Sequence, residues 1–346
     1  ACDTSIQPAI YISCSSTLPF AFPCLTPSCS CGVVATPLEC GLAAARGFRC
    51  VMEKDLERCE IRRARPDELD QVAAFRALYG QQLGIGAMGT FWKVDPEGIL
   101  VAVTDDGKVL GTLAVLRISD SISYVTMHAV YPELRKKGLG KRLWQAAEAH
   151  LGPDRNAFLM CGGFDVSMYH NRFGFDVVSP VTIHYIRPGP ADISTLRTEV
   201  SGVDIVDSAT PTLTSKVIDY DQVVSGFRRE RLLDLILKEP GNIFKVAVHG
   251  HSVVGYGIVS TDISGMALLR IVYADDVGIA ECLVHSLLNG FAPFVEKGLT
   301  GLLLAEAGDA TGLDIKMSIE GIPCVKILYR REHPTCDYKR QFVVCV

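Results

Sequence analysis

One stretch of this chain, "SYVTMHAVYPELRKKGLGKRLWQAAEAHL" from Ser123 to Leu151, constrains its fold more than any other. β-branched and aromatic residues open it at strand spacing, and Leu139, Leu143, Ala146, Ala147 and Leu151 close it at helical spacing. Between them lies a turn with Gly138, Gly140 and the cations Arg135, Lys136, Lys137, Lys141 and Arg142. A strand that passes through such a turn into a helix calls for an α/β framework and makes an anion seat. The first helical N–H groups have no intrahelical acceptor, and the helix dipole adds positive potential there. The glycines let the main chain approach a ligand, and a pyrophosphate with a further phosphate matches the charge. The turn fits neither GxxxxGK[ST] nor GxGxxG.

The whole chain carries a formal charge of −5, so the positive charge is local and the expected partner is small. General nucleic-acid binding is argued against, because it shows as a basic domain with many phosphate contacts. No stretch approaches eighteen uninterrupted apolar residues, which argues against a membrane span. With 48% hydrophobic and 21% charged residues over 346 positions, the chain is expected to form two soluble, cytoplasmic domains with their own cores.

Eight of the thirteen cysteines (Cys2, Cys14, Cys24, Cys29, Cys31, Cys40, Cys50, Cys59) fall before residue 60. Residues 1–58 are rich in Cys, Ser and Pro without helical or strand period and are expected to be poorly ordered, the folded part beginning near Met52. Cys29 and Cys31 lack a second ligand pair, so no metal is expected. From Glu60 the pattern is regular. "EIRRA" reads as a strand, Pro66 opens a helix, and Gly80, Gly84, Gly86 and Gly89 punctuate a connection expected to be mobile. "GILVAVTD" and "KVLGTLAVLRI" make a hairpin through "DDGK"; after the basic loop and its helix come the strand "AFLMC", the helix "DVSMYHNRF" and the strand "FDVVSPVTIHYI". "RPGPADISTLRTEVSG" is the best linker, which divides the chain into domains at 59–187 and 203–346 with residues 188–202 between them. A similar order of elements returns beyond it, and the tail "IPCVKILYRREHPTCDYKRQFVVCV" is expected to close the second sheet.

"AVYPELRKKGLGKRL", with Val130, Pro132, Arg135, Gly138 and Gly140 in register after a strand, resembles motif A of the GNAT acetyltransferases, and "MYHNRFGF" from Met168 to Phe175 resembles that superfamily's tyrosine-to-glycine-phenylalanine signature. The second half more weakly resembles the C-terminal domain of tandem-GNAT proteins of nematodes and bacteria. It lacks the loop: Tyr273–Gly278, "YADDVG", puts two acids where the first copy has five cations, which makes phosphate binding there doubtful. The resemblance implies an α/β (α+β) protein of two tandem GNAT-like domains, each a mixed, mainly antiparallel sheet flanked by helices, with one working site in the first.

It further implies acetyl transfer from acetyl-CoA to an amine without a covalent enzyme intermediate. The amide of Val130 would stabilise the oxyanion, the main chain of Ala129 and its neighbours would hold pantetheine like an added strand, and Arg135, Lys136, Lys137, Gly138, Leu139, Gly140 and Lys141 would hold the pyrophosphate. The proton donor to the leaving thiolate is Tyr169 or His170: the signature's usual tyrosine position holds His170, one residue on, and one residue turns a helical side chain by about 100°. His128, on the same strand as Val130, is a candidate general base or a hydrogen-bonded histidine inside the sheet. Cys161 reads as packing, Glu133 as a turn residue, and Tyr79, Phe91 and Trp92 as aromatics that shape the acceptor pocket or fill the core. The acceptor is expected to be a small-molecule amine. A non-catalytic acyl-CoA-binding regulator and an acetyltransferase of protein N-termini or lysines are the competing readings.

Overall fold

The computed structural model describes residues 56, 58–77, 82–162, 165–207, 210–305 and 325–344. The expectations for residues 1–55 and for Tyr79 lie outside the described residues.

The first half runs β1 (Glu60–Arg63), α1 (Leu69–Ala77), α2 (Ala87–Val94), β2 (Ile99–Val103), β3 (Val109–Arg117), β4 (Ile122–Val130), α3 (Leu139–Leu151), β5 (Asn156–Gly162), α4 (Val166–Phe173), β6 (Val177–Val178) and β7 (Thr182–Gly189). The second half repeats the order as far as its third helix and then departs from it: β8 (Val203–Val206), α5 (Pro211–Ser225), α6 (Glu230–Leu237), β9 (Ile243–His249), β10 (Ser252–Thr261), β11 (Ala267–Ala274), α7 (Val277–Leu288), α8 (Ala292–Lys297), β12 (Leu299–Ala305), β13 (Val325–Tyr329) and β14 (Gln341–Val344). Local chemistry sets the boundaries. Gly107 at φ +84° turns the β2–β3 hairpin, and its Thr104 N–H donates to the Lys108 carbonyl at 3.0 Å. Ahead of α1, the Arg65 N–H donates to the buried Glu68 carboxylate at 2.8 Å; two hydrogen bonds from Arg62, at 2.6 and 2.9 Å, hold that carboxyl down at about 2.

The fourteen strands of the described residues form one sheet in the order β1-β2-β3-β4-β5-β13-β7-β12-β14-β11-β10-β9-β8, with β6 beside β13. The tail therefore does not simply close the second sheet. β13 runs antiparallel along the first half's β5, from Val325↔Gly162 to Tyr329↔Phe158, while β7 of the first half runs along β12 of the second, from Leu299↔Gly189 to Ala305↔Thr182. Each half thus lends a strand to the other's edge, and neither edge stays open.

Alternation along the strands separates the cores. One face of the first half packs under α3, where Leu139, Leu143, Trp144, Ala147 and Leu151 meet Leu110, Leu113 and Val115; α7 covers the corresponding face of the second. The other face carries a cluster common to both halves, with Val72, Phe91 and Ile99 from one and Val217, Leu232 and Tyr256 from the other. The connection between α1 and α2 is pinned here: the Ile85 N–H donates to the Thr261 carbonyl and the Ile263 N–H to the Leu83 carbonyl, each at 3.0 Å. A β-carbon on Gly84 would stand 3.0 Å from Ser260 Oγ, and one on Gly86 3.1 Å from Glu239 Oε2. The glycines read as mobile hinges at these two positions serve close approach instead.

Candidate active site

β4 and β5 are parallel and pair only from Ile122–Asn156 to Val125–Leu159. Beyond that point β4 bends. Met127 sits at φ +57°, and the register against β3 shifts between Thr112 and Ala114, which marks a bulge. Left-handed backbone at a non-glycine residue costs on the order of 1–3 kcal/mol. Thr112 Oγ1, donating to the Met127 carbonyl at 2.7 Å, helps hold it. The two strands part around a cleft of about 270 Å³. Its walls are Val125, Thr126, Met127 and His128 on β4, Leu159 to Gly162 on β5, and Asp165 and Tyr169 at α4; Arg76, Gln82, Tyr124, Tyr185, Leu302 and Val325 complete it. The second half thus contributes Leu302 and Val325 to the wall.

At the end of β4 the chain enters the basic loop. The Tyr131 N–H donates to the Leu110 carbonyl at 3.2 Å, so antiparallel alternation turns the preceding N–H, that of Val130, away from β3 and toward the side where β5 has diverged. A 3₁₀ turn, Pro132–Leu134, buries Leu134 as an anchor. Lys136 at φ +62° and Gly138 at φ +90° then bring the main chain into α3. Gly138 is the N-cap of α3 and has no side chain with which to cap it. That is the arrangement an anion completes. Arg135, Lys136 and Lys141 are exposed around it, and Lys137 is half-buried. Arg142 leaves the group: its guanidinium turns back to donate to the carbonyl of Cys59 at 3.0 Å.

Gly140 and His128 link the loop to the cleft. A β-carbon on Gly140 would lie 3.3 Å from His128 Nε2, and His128 Nδ1 lies 3.2 Å from the Tyr169 hydroxyl. Burial pushes the His128 imidazole down to about 4, opposed by a main-chain hydrogen bond with Gly140. The Tyr169 phenol is pushed up, first by burial and then by the charges of Asp165 and Cys161. Two neutral groups therefore meet at neutral pH. The structure thus brings His128, the candidate general base, into contact with Tyr169 on the wall of the cleft.

α4 places the two proton-donor candidates on different faces. Val166, Tyr169 and Phe173 share its inward face, and Gly174 at φ +69° ends it, with the Phe175 N–H donating back to the Tyr169 carbonyl at 3.3 Å. Tyr169 packs among Trp144, Phe173 and Phe175. His170 falls on the outer side, its Nδ1 3.1 Å from Asp176 Oδ1, and does not line the cleft. Cys161 lines the cleft as a thiol, its pKa pushed up to about 12 by burial and by Asp165. Phe91 is core, and Trp92 packs against it; neither reaches the cleft. Sequence reasoning missed Arg76, Gln82, Asp165, Tyr185, Leu302 and Val325 among the lining residues. Asp165 had a signal, as the acid beside the signature helix; Leu302 and Val325 had none, because only the strand exchange brings them in.

His128 sets a pH dependence of stability. Its folded pKa of about 4 lies below the ordinary 6.5, so between those values the unfolded chain binds the proton and the folded chain does not. Stability is full above pH 6.5 and falls as the pH drops toward 4, by roughly 3 kcal/mol from this group. In urea unfolding at pH 4.5 and 7.5, His128→Gln is expected to lose less stability than wild type between the two.

Residues 59–175 match the acetyltransferase (GNAT) family, and residues 217–293 match an acetyltransferase (GNAT) domain. No curated protein matches the chain. Among solved structures, one of a Pyrococcus horikoshii protein assigned to the acetyltransferases aligns at a TM-score of 0.60 and 16% identity over 84% of this chain and 95% of that one. A GCN5-related N-acetyltransferase from Sphaerobacter thermophilus aligns at 0.51 and 15% over 79% and 95%. A tandem GNAT protein from the clavulanic acid biosynthesis pathway aligns at 0.53 and 15% over 78% and 97%. At such identities these likenesses show the fold alone. Among the described residues no helix is long and apolar enough to cross a membrane. With two GNAT matches that together span more than half of its length, the chain belongs to the GNAT acetyltransferases and carries two GNAT domains in tandem.

Proposed function

We propose that the protein is an acetyl-CoA-dependent N-acetyltransferase that acetylates the primary amine of a small molecule in the cleft of its first half. One observation carries this: His128 on the cleft wall stands between the protonated Tyr169 and Gly140 in the first turn of α3, whose N-cap Gly138 has no side chain. The main chain of Ala129 and Val130 would pair with pantetheine as an added strand, and the amides of Arg135 to Lys141 would hold the pyrophosphate. The Val130 N–H, aimed to the side of the divergence, would stabilise the oxyanion formed when the amine nitrogen attacks the thioester carbon. As the C–S bond breaks, Tyr169 donates its hydroxyl proton to the sulfur, and the proton shed by the nitrogen restores the phenol through solvent. The products are the amide and free thiol. His128 fixes the hydroxyl's position.

A CoA-release assay over amino acids, polyamines, amino sugars and peptides, with products identified by mass spectrometry, tests the reading. At least one small primary amine is expected to yield its N-acetyl derivative in step with free CoA. Acetyl-CoA binding without turnover of any amine would favour the regulatory reading, and turnover of peptides alone the protein-modifying one. With the active amine, Tyr169→Phe is expected to lower kcat by a factor on the order of 10², with acetyl-CoA affinity within about twofold of wild type. An unchanged kcat would remove Tyr169 from the chemistry.

A further inference from the structure

The second half has a groove of the same construction. β11 and β12 are its counterparts of β4 and β5: they too are parallel, and they pair only from Ala267–Leu299 to Leu269–Gly301 before they diverge. In the first half the space beyond the last pair is the cleft. In the second half it holds β14. Val344, Val343 and Gln341 pair antiparallel with Ile271, Val272 and Tyr273, and Val343 pairs on its other side with Leu303. All four residues of β14 are buried, and Gln341 Nε2 donates to the Val224 carbonyl at 2.9 Å.

The helix end beside this groove is closed as well. Asp276 caps α7 by accepting from the Ile279 N–H at 3.0 Å, where the first half's Gly138 offers no side chain. Arg197, from the connection between the halves, comes so close to Gly278 that a β-carbon there would meet its guanidinium at 2.5 Å; it also pairs with Glu281 at 3.3 Å. An incoming phosphate would face the Asp276 carboxylate and a helix turn whose donor is already taken.

We propose that β14 stands in for pantetheine: the second half keeps the groove of an acyl-CoA site and fills it with its own chain. The protein then binds one acyl-CoA, in the first half. The filled groove has a use of its own, because β14 lies on the same tail as β13. Its anchorage holds β13 along β5, where Val325 walls the acceptor cleft.

This inference rests on the placement of pantetheine between β4 and β5. Titration calorimetry of the full chain with acetyl-CoA is expected to give one site, absent from Arg135→Glu/Gly138→Asp. Hydrogen exchange of the ligand-free protein is expected to show the amides of 341–344 slowed at least about 100-fold, and no faster with saturating acetyl-CoA. Two sites per chain, or loss of protection in 341–344 when acetyl-CoA is added, overturns the proposal. A single site that survives in the loop variant while 341–344 stay protected overturns the first-half placement, and the proposal with it.

Discussion

Arg135→Glu combined with Gly138→Asp is expected to erase the thermal stabilisation that acetyl-CoA gives the wild-type protein. At a ligand concentration about 100 times Kd, that stabilisation amounts to roughly 2.7 kcal/mol, a rise in Tm on the order of 5 °C. The double variant puts two negative groups where phosphate oxygens would lie and strains Gly138, at φ +90° the N-cap through which the main chain enters α3. The damage is local, because a β-carbon at Gly138 meets no atom within 4 Å and Arg135 is exposed. A urea midpoint close to wild type, measured alongside, separates lost binding from lost folding. A thermal shift of wild-type size in the variant would place the cofactor elsewhere.

A fragment of residues 59–187, expressed alone, is expected to show no cooperative unfolding. It lacks β13, so the backbone of β5 from Phe158 to Gly162 loses its antiparallel neighbour, and the fully buried Leu328 drops out of the core under α3. An open edge at β5, which keeps only its parallel pairing with β4, and a cavity of leucine size, costing about 2–5 kcal/mol, together remove much of a domain's usual margin of about 5–15 kcal/mol. Coexpression with residues 188–346 is expected to restore a soluble complex that melts in one transition. A lone fragment with native-like circular dichroism and a sharp melt would show the halves to be independent.

Much of the fold was legible because its signals are local. Hairpin chemistry at Gly107, the helix-opening Pro66 and the apolar spacing of α3 depend on neighbours a few residues away. Tyr169 and His170 were ambiguous from motif position alone, and the inward face shared with Val166 and Phe173 separated them. The destination of the tail was not legible. β13 and β14 are short apolar strands that fit several edges equally well, and the choice is made by which grooves the rest of the sheet leaves open. For the same reason the wall of the cleft was only half readable, since Leu302 and Val325 reach it through long-range pairing. The contact of His128 with Tyr169 was not legible either, because the two residues lie 41 positions apart in the chain.

The footprint of acetyl-CoA, mapped by hydrogen exchange on the full-length protein, tests most directly where the chemistry takes place. Added protection is expected at residues 126–130 and 159–162 on the two walls of the β4–β5 cleft and at 135–141 in the basic loop. Protection at 270–280 and 299–304 instead, or none in the first half at saturating acetyl-CoA, would contradict it.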